Sequence, residues 1–84
     1  MITAEELYHT LHRKPFRPFR VFVKDGRVFD IRYHRNNVVG VDYFVIGIPS
    51  IEDPEFIADR TVRVPIELID RVEGIGDTTA TVPT

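Results

Sequence analysis

Three histidines are the residues of this chain whose type best suits metal binding or proton transfer. His9 and His12 are three residues apart, so on a helix they would share a face and could hold a metal ion. Catalytic zinc sites use three protein ligands, however, and no third ligand is evident near them. His34, beside Arg35, has no nucleophile or carboxylate partner in the sequence that would make it a general base. We therefore interpret all three as surface or structural histidines.

Acidic side chains concentrate in residues 51–59, where they could supply the oxygen ligands of a hard cation. The segment lacks the glycine and the ligand spacing of a calcium-binding loop, so we interpret it as a solvated acidic loop. Its acids are Glu52, Asp53, Glu55 and Asp59.

Catalytic chemistry has little support elsewhere in the chain. There is no cysteine, which excludes disulfides and thiolate zinc sites. No set of nucleophile, base and oxyanion donor can be assembled from the sequence. We therefore expect a protein that is not an enzyme and that carries no metal or other cofactor.

The charged residues are distributed unevenly along the chain. Residues 13–35 contain eight basic side chains and two acidic ones, a net charge of +6. The other residues contain three arginines and eleven acids, a net charge of −8, so the overall charge of −2 conceals a dipolar chain. The basic side chains are Arg13, Lys14, Arg17, Arg20, Lys24, Arg27, Arg32 and Arg35.

Three interpretations of this basic segment remain open. With Phe16, Phe22 and Tyr33 nearby, it could follow a nucleic-acid backbone and stack bases. It could instead dock on the acidic loop of a second copy, which would produce a head-to-tail homo-oligomer. The arginines could also be no more than the solvated outer face of a hairpin. A sequence pI of about 5.9 argues against a dedicated nucleic-acid-binding protein, which usually has a basic domain.

Residues 14–33 have the pattern of a β-hairpin that turns at Asp25-Gly26. A two-residue loop would place Asp30 on the apolar face. A three-residue loop with Gly26 in the left-handed conformation avoids this and sets Arg20 opposite Asp30 as a favourable cross-strand pair. In this register one face of the hairpin carries Phe19, Val21, Val23, Phe29, Ile31 and Tyr33.

A short helix over about residues 4–14 is predicted before the hairpin. Thr3 is a good N-cap with Glu6 in the capping-box position, and Pro15 disfavours helix at Lys14. Further strands are predicted over residues 38–41, 43–48, 61–64 and 70–75, with a 3₁₀ turn over residues 66–69. The predicted core comprises Leu7, Leu11, Phe19, Val21, Val23, Phe29, Ile31, Val62, Val64, Ile69 and Val72.

This order of elements predicts a mainly β protein, a small and strongly bent barrel with one short N-terminal helix. A chain of 84 residues suffices for one domain, which we expect over residues 1–75. Residues 76–84 carry no core pattern and are predicted to form a disordered tail. No apolar run approaches the roughly 20 residues of a membrane span, and no signal-peptide core is evident. We expect a cytoplasmic protein without membrane contact.

The order of elements resembles that of SH3-like barrels and, with the N-terminal helix, the Sm-like subgroup. Three motifs are also similar to a family of short, uncharacterised bacterial proteins: PF-R-PF at residues 15–19, DGR at 25–27 and LIDRVE at 68–73. The similarity covers about residues 4–34 and 61–74, and the acidic insert between them departs from it. That family implies no activity, so the resemblance bears on the fold alone.

We therefore expect the protein to act by binding other molecules at its surface. We expect a small non-enzymatic binding or assembly module, for which self-association would be a natural supplement to a small core. The alternative is an Sm-like RNA-binding protein. Bacterial Sm-like RNA chaperones carry a Tyr-Lys-His-like segment before their last strand, whereas residues 64–67 here are uncharged to acidic. Uridine-type recognition is therefore in doubt.

Overall fold

The computed structural model describes residues 1–75, in which one helix is followed by six β-strands. The helix α1 covers Ala4–Leu11. The strands are β1 (Phe19–Val23), β2 (Val28–Ile31), β3 (Asn37–Val39), β4 (Tyr43–Pro49), β5 (Ala58–Pro65) and β6 (Ile69–Gly74), and a 3₁₀ turn over Ile66–Leu68 separates β5 from β6. The predicted tail, residues 76–84, lies outside the described residues.

These strands form two antiparallel sheets of three strands each. The first sheet has the order β2–β1–β6, and the second has the order β3–β4–β5. Side chains of α1 and of both sheets form a single buried cluster, so the two sheets and the helix share one core. The predicted mainly β fold with one short helix is confirmed at this level.

The β1–β2 hairpin has the predicted register. Val21 pairs with Phe29 and Arg20 pairs with Asp30, and the backbone N–H of Val23 donates to the carbonyl of Arg27 at 2.9 Å. Gly26 has a φ of 99°, the left-handed region in which a side chain is disfavoured. The three-residue loop with glycine at its last position is therefore confirmed.

Helix α1 begins as predicted but ends earlier. Thr3 and Glu6 form a complete capping box, in which each side chain accepts from the other residue's backbone N–H. The helix ends at Leu11 with His12 as its C-cap, so the predicted extension to residue 14 is wrong. Arg13 and Lys14 precede Pro15, whose ring disfavours helical backbone before it.

The four strands after the hairpin also have limits that differ from the prediction, by one residue at each changed end of β4 and β6 and by more in β3 and β5. Strand β5 begins at Ala58 and pairs with β4 along its length, up to Tyr43 opposite Pro65. Its first residues are exposed on both sides, which is why their polar sequence indicated a loop. Strand β3 ends at Val39 because the N–H of Gly40 donates to the carbonyl of Tyr43 and closes a turn.

The buried core contains eight of the eleven predicted residues. Phe29, Val62 and Val72 are half-buried and pack against it, whereas Ile31, Val64 and Ile69 on the same three strands are buried. The prediction omitted three buried residues, which are Phe44, Ile46 and Ile66.

Candidate functional site

Acidic neighbours neutralise the arginines on the outer face of the hairpin. Arg20 donates from Nε and Nη2 to the two carboxylate oxygens of Asp30, at 2.6 and 3.2 Å. Arg32 Nη2 lies 3.4 Å from the same carboxylate. At the turn, Arg27 donates to Asp25 from its backbone N–H at 3.0 Å and from Nε at 2.8 Å. We call Arg20, Arg27 and Arg32 the paired arginines.

Four other cations of the basic segment have no such partner. Within the described residues, no carboxylate lies within 4.0 Å of the charged groups of Arg13, Lys14, Arg17 and Lys24, and all four are exposed. Three of them belong to the connector between α1 and β1, residues 12–18, which contains no acid. The predicted basic surface thus divides into a paired part and an unpaired part.

The connector meets the loop between β2 and β3, residues 32–36. His12 Nδ1 and His34 Nε2 are 2.9 Å apart, so one ring nitrogen donates a hydrogen bond to the other. The loop also contains no acid, and the two segments together contain five arginine or lysine residues. We call the surface formed by these two segments in contact the basic–aromatic end; its residues are His12, Arg13, Lys14, Phe16, Arg17, Arg32, Tyr33, His34 and Arg35.

Aromatic rings link the helix to this end. The ring of Tyr8 lies 4.2 Å from that of His12, and the ring of His12 lies 4.7 Å from that of His34 in an edge-on arrangement. Phe16 is 6.4 Å from His34 on one side and 6.2 Å from the buried Phe19 on the other. The end is therefore anchored in the core by Phe16 while its other rings remain accessible.

Hydrogen bonds of Asn37 fix the loop that carries Tyr33, His34 and Arg35. Its side-chain amide donates to the carbonyls of Tyr33 and Arg35, both at 2.9 Å, and its side-chain oxygen accepts from the N–H of Gly47 at 3.1 Å. A Cβ at Gly47 would collide with the backbone oxygen of Asn36. The loop therefore rests directly on β4 and needs glycine there.

A groove of about 460 Å³ opens at the basic–aromatic end. Its lining residues are Phe16, Arg32, Tyr33, His34, Arg35 and Glu55. Arg35 also lies over the ring of Phe56, with its guanidinium carbon 4.5 Å from the ring centre. The groove thus combines aromatic side chains, guanidinium groups and one carboxylate, with Arg35 and Glu55 next to each other.

Hydrogen bonds lower the pKa of two carboxylates on the hairpin. The hydrogen bond from Arg20 lowers the pKa of Asp30, with Arg32 adding to the effect. The backbone N–H of Arg27 lowers the pKa of Asp25. Conversely, Asp30 raises the pKa of Arg20. Both carboxylates are therefore held in the charged form by the hydrogen bonds that neutralise the paired arginines.

The acidic loop lies beside the basic–aromatic end within the same chain. Glu55 Oε2 is 4.0 Å from Arg35 Nε, while Asp59 belongs to β5 and lies 3.9 Å from Arg60. Glu52 and Asp53 have no ion pair with residues 1–75. Among the described residues no three side chains are grouped as metal ligands would be. Within residues 1–75, one ion pair, Arg35 with Glu55, joins the predicted basic and acidic sets.

The pairing of His12 with His34 was missed by the sequence, which placed His12 with His9. In the structure His9 faces Glu5 instead, at 3.9 Å. The two paired histidines are 22 residues apart, and no local spacing signals a contact of that kind. The groove and the role of Asn37 were missed for the same reason.

Phe22, an aromatic residue on the polar face of the hairpin, is covered by its own chain. The guanidinium carbon of Arg71 lies 3.8 Å from the centre of its ring. Arg71 in turn donates to Glu73 at 2.7 Å and to Asp70 at 3.0 Å, and these hydrogen bonds raise its pKa. This ring is half-buried and is not part of the basic–aromatic end.

A second groove lies between α1 and the β3–β4 turn. It has a volume of about 520 Å³ and is lined by Ala4, Glu5, Tyr8, His9, Val39, Gly40 and Val41. Its lining is mostly apolar, and Val41 is 87% exposed. This groove contains none of the basic side chains singled out from the sequence.

No helix within residues 1–75 has the length and apolar character needed to cross a bilayer. Comparison of the chain with protein-family models, with curated proteins and with solved structures finds no match.

Proposed function

We propose that this protein is a small non-enzymatic binding module that holds single-stranded RNA at its basic–aromatic end. The observation that carries the proposal is the contact of His12 with His34. It joins two acid-free segments that between them contain unpaired cations and aromatic side chains. Proteins that bind single strands combine these two features, because cations attract the phosphates while rings stack on bases of any sequence.

The unpaired cations are the part of the surface best suited to phosphate. An arginine that already forms a fork with a carboxylate must lose that partner before it can bind a phosphate. Arg13, Lys14 and Arg17 have no such partner among residues 1–75. Residues 64–67, the place of the Sm-like uridine segment, contain the buried Val64 and Ile66. Their burial supports placing the RNA surface at the basic–aromatic end.

Fluorescence polarisation with a labelled single-stranded RNA of mixed sequence tests the proposal. We expect binding at low salt that weakens steeply as salt rises, because each neutralised phosphate releases counterions. The double variant Arg13→Ala/Arg17→Ala should lower the salt slope by roughly 0.7 for each phosphate that the protein no longer neutralises. The matched control is Arg20→Ala/Arg27→Ala, which removes the same charge from paired positions.

The control should retain more of the affinity than the first variant. Equal losses in the two double variants would contradict the assignment of the RNA surface. A wild-type protein that does not bind RNA at low salt would contradict the function itself.

A second candidate function is assembly by self-association, which the edge strands favour. Strands β2 and β3 each have one hydrogen-bonded neighbour within residues 1–75, and they expose Val28 (49%) and Val38 (60%). Open edges with exposed β-branched side chains are templates for pairing with another chain. The basic and acidic sets could add a charge contact between copies, as Arg35 and Glu55 do within one chain.

Solution mass measured over a range of concentrations tests this candidate. An oligomer of the wild type that dissociates in Val28→Lys/Val38→Lys would support edge pairing. An oligomer that dissociates in Arg17→Glu/Arg32→Glu and re-forms when Asp53→Lys/Glu55→Lys is added would support charge docking. A wild-type monomer at high concentration would exclude both forms of assembly.

We further propose that the two sheets are parts of one strongly bent SH3-like, and more specifically Sm-like, barrel. Residues 32–36 alone separate β2 from β3, so the two can be regarded as halves of one interrupted strand. The strand order then runs β6–β1–β2/β3–β4–β5. The resemblance to short bacterial proteins and a cytoplasmic location belong to the same proposal. An experimental structure in which the two sheets diverge would contradict it.

A further inference from the structure

Glu55 is the one acidic residue among those that line the groove at the basic–aromatic end. The other lining residues are aromatic or basic. A carboxylate repels phosphate, so a surface that only attracts phosphate would not be expected to contain one. The neighbouring acids Glu52 and Asp53 do not line the groove. The position of Glu55 therefore needs an explanation beyond the acidity of its loop.

The ion pair with Arg35 leaves the carboxylate oxygens of Glu55 without a hydrogen bond from the described residues. Arg35 Nε and Glu55 Oε2 are 4.0 Å apart, which is longer than a hydrogen bond. No hydrogen bond within residues 1–75 reaches the Glu55 carboxylate oxygens. Arg35 is instead held over the ring of Phe56. The acceptor oxygens of Glu55 are therefore available to a ligand in the groove.

The groove combines the three contacts that a nucleotide requires. Phe16, Tyr33 and His34 supply aromatic rings, and Glu55 supplies two acceptor oxygens. Arg32 and Arg35 supply guanidinium groups, which also contact Asp30 and Glu55. Its volume of about 460 Å³ lies within the ~300–1,000 Å³ typical of ligand sites. One base with its phosphate would engage all three kinds of contact at once.

The hydrogen-bonding edges of the four bases differ in how they meet a carboxylate. Guanine presents two adjacent donors on its Watson–Crick edge, the N1–H and the N2 amino group, which match the two oxygens of a carboxylate. Cytosine and adenine each present an amino group beside a ring-nitrogen acceptor, and uracil presents one N–H between two carbonyl acceptors. These acceptors would face the carboxylate and repel it. Single-stranded bases are read on this edge when they are splayed out.

We propose that the groove is a guanine-selective subsite in which Glu55 accepts from both donors of the base. The proposal rests on the proposed RNA-binding function and names the base that the surface prefers. It also accords with the doubt about uridine recognition, because uracil is the base least able to satisfy the carboxylate. Glu55 is then a specificity-determining residue, whereas the unpaired cations supply affinity without regard to sequence.

Competition among short RNAs tests the subsite. Labelled oligouridine strands that carry one central guanosine, adenosine or cytidine are compared by fluorescence polarisation at one salt concentration, with lithium as the monovalent cation to suppress guanine quadruplexes. We expect the guanosine strand to bind about tenfold more tightly than the other two, since a good two-point contact discriminates by roughly that factor or more.

The variant Glu55→Gln should abolish this preference, because an amide offers one acceptor and one donor in place of two acceptors. The matched control Glu52→Gln removes the same charge from the same loop outside the groove. Both variants raise general affinity for RNA because they remove repulsion, so the readout is the ratio of affinities. The control should keep the tenfold ratio.

Each outcome distinguishes this inference from the proposed function. Equal affinities of the wild type for the three RNAs, or a preference that survives in Glu55→Gln, would overturn the subsite while leaving RNA binding intact. No binding of any RNA at low salt would overturn both. A preference that disappears in both glutamine variants would show that loop charge, and not the groove carboxylate, decides it.

Discussion

The outer face of the hairpin and the connector between α1 and β1 contain the same kind of residue in opposite surroundings. On the hairpin, Arg20 forms a two-point contact with Asp30 and Arg27 does so with Asp25. At the basic–aromatic end, Arg13 and Arg17 have no ion pair with the described residues. A count of arginines along the sequence therefore overstates the surface that is free to bind an anion.

Local spacing explains the difference. Asp25 precedes Arg27 by two residues at the turn, and the register of the hairpin sets Arg20 directly opposite Asp30. Cross-strand neighbours of opposite charge stabilise each other. The connector, residues 12–18, contains two prolines and no acid, and none of its residues belongs to a strand. No register therefore sets an acid opposite its cations, as the hairpin does for Arg20.

The largest expected effect tests whether the basic–aromatic end depends on the packing of its loop. Gly47→Ala places a Cβ against the backbone oxygen of Asn36, which should destabilise the protein by about 1 to 3 kcal/mol, as overpacking typically does. Gly74→Ala is the control, because a Cβ there meets no atom within 4 Å. Urea unfolding measures both, and equal midpoints would contradict the close contact between loop and strand.

The hairpin shows how much of the fold the sequence predicted. Alternation of apolar and polar residues determined the register, and Gly26 at positive φ follows from it. The capping box of Thr3 and Glu6 was equally local. These features could be predicted because each depends on residues within a few positions of one another or on a period-two pattern.

The remaining features depend on contacts between distant residues. The run from Tyr43 to Ile48 is apolar nearly throughout, so its pattern could not show that Phe44 and Ile46 face the core. Phe29 belongs to an edge strand and is only half-buried, and the residues next to it in the sequence do not indicate this. The candidate site itself depends on His12 meeting His34 and on Asn37 reaching Gly47. Neither contact has a sequence signal.

The next largest effect concerns the paired arginines: the stabilisation that Asp30 provides should depend on pH. Because the pKa of Asp30 is lower in the folded than in the unfolded protein, its carboxylate contributes stability that is fully present above the unfolded pKa, about 3.9. That contribution is lost as the pH falls through the folded-state pKa. Asp30→Asn should therefore cost less than about 1 kcal/mol near neutral pH, as partly exposed pairs do, and progressively less below pH ~4.

The cause of this effect can be checked in a second background. Arg20 is the main source of the lowered pKa, so Asp30→Asn should have a smaller and less pH-dependent effect in Arg20→Gln than in the wild type. Urea unfolding across acidic and neutral pH gives the four free energies of the cycle. An undiminished effect in the Arg20→Gln background would assign the stabilisation to Arg32 or to another group.

The smallest expected change in stability comes from removing one unpaired cation, and two such variants test whether the position of the cation matters for RNA binding. Arg17→Ala and Lys24→Ala each remove one exposed cation that has no ion pair within residues 1–75, so each should alter the free energy of unfolding by less than about 0.5 kcal/mol.

The effects of Arg17→Ala and Lys24→Ala on RNA binding should differ nonetheless. Arg17 follows the ring of Phe16, whereas Lys24 lies at the hairpin turn. If RNA engages the basic–aromatic end, Arg17→Ala lowers the salt slope by roughly 0.7 and Lys24→Ala leaves it unchanged. Equal slopes in the two variants would mean that any unpaired cation serves, and that the rings beside Arg17 do not localise the strand.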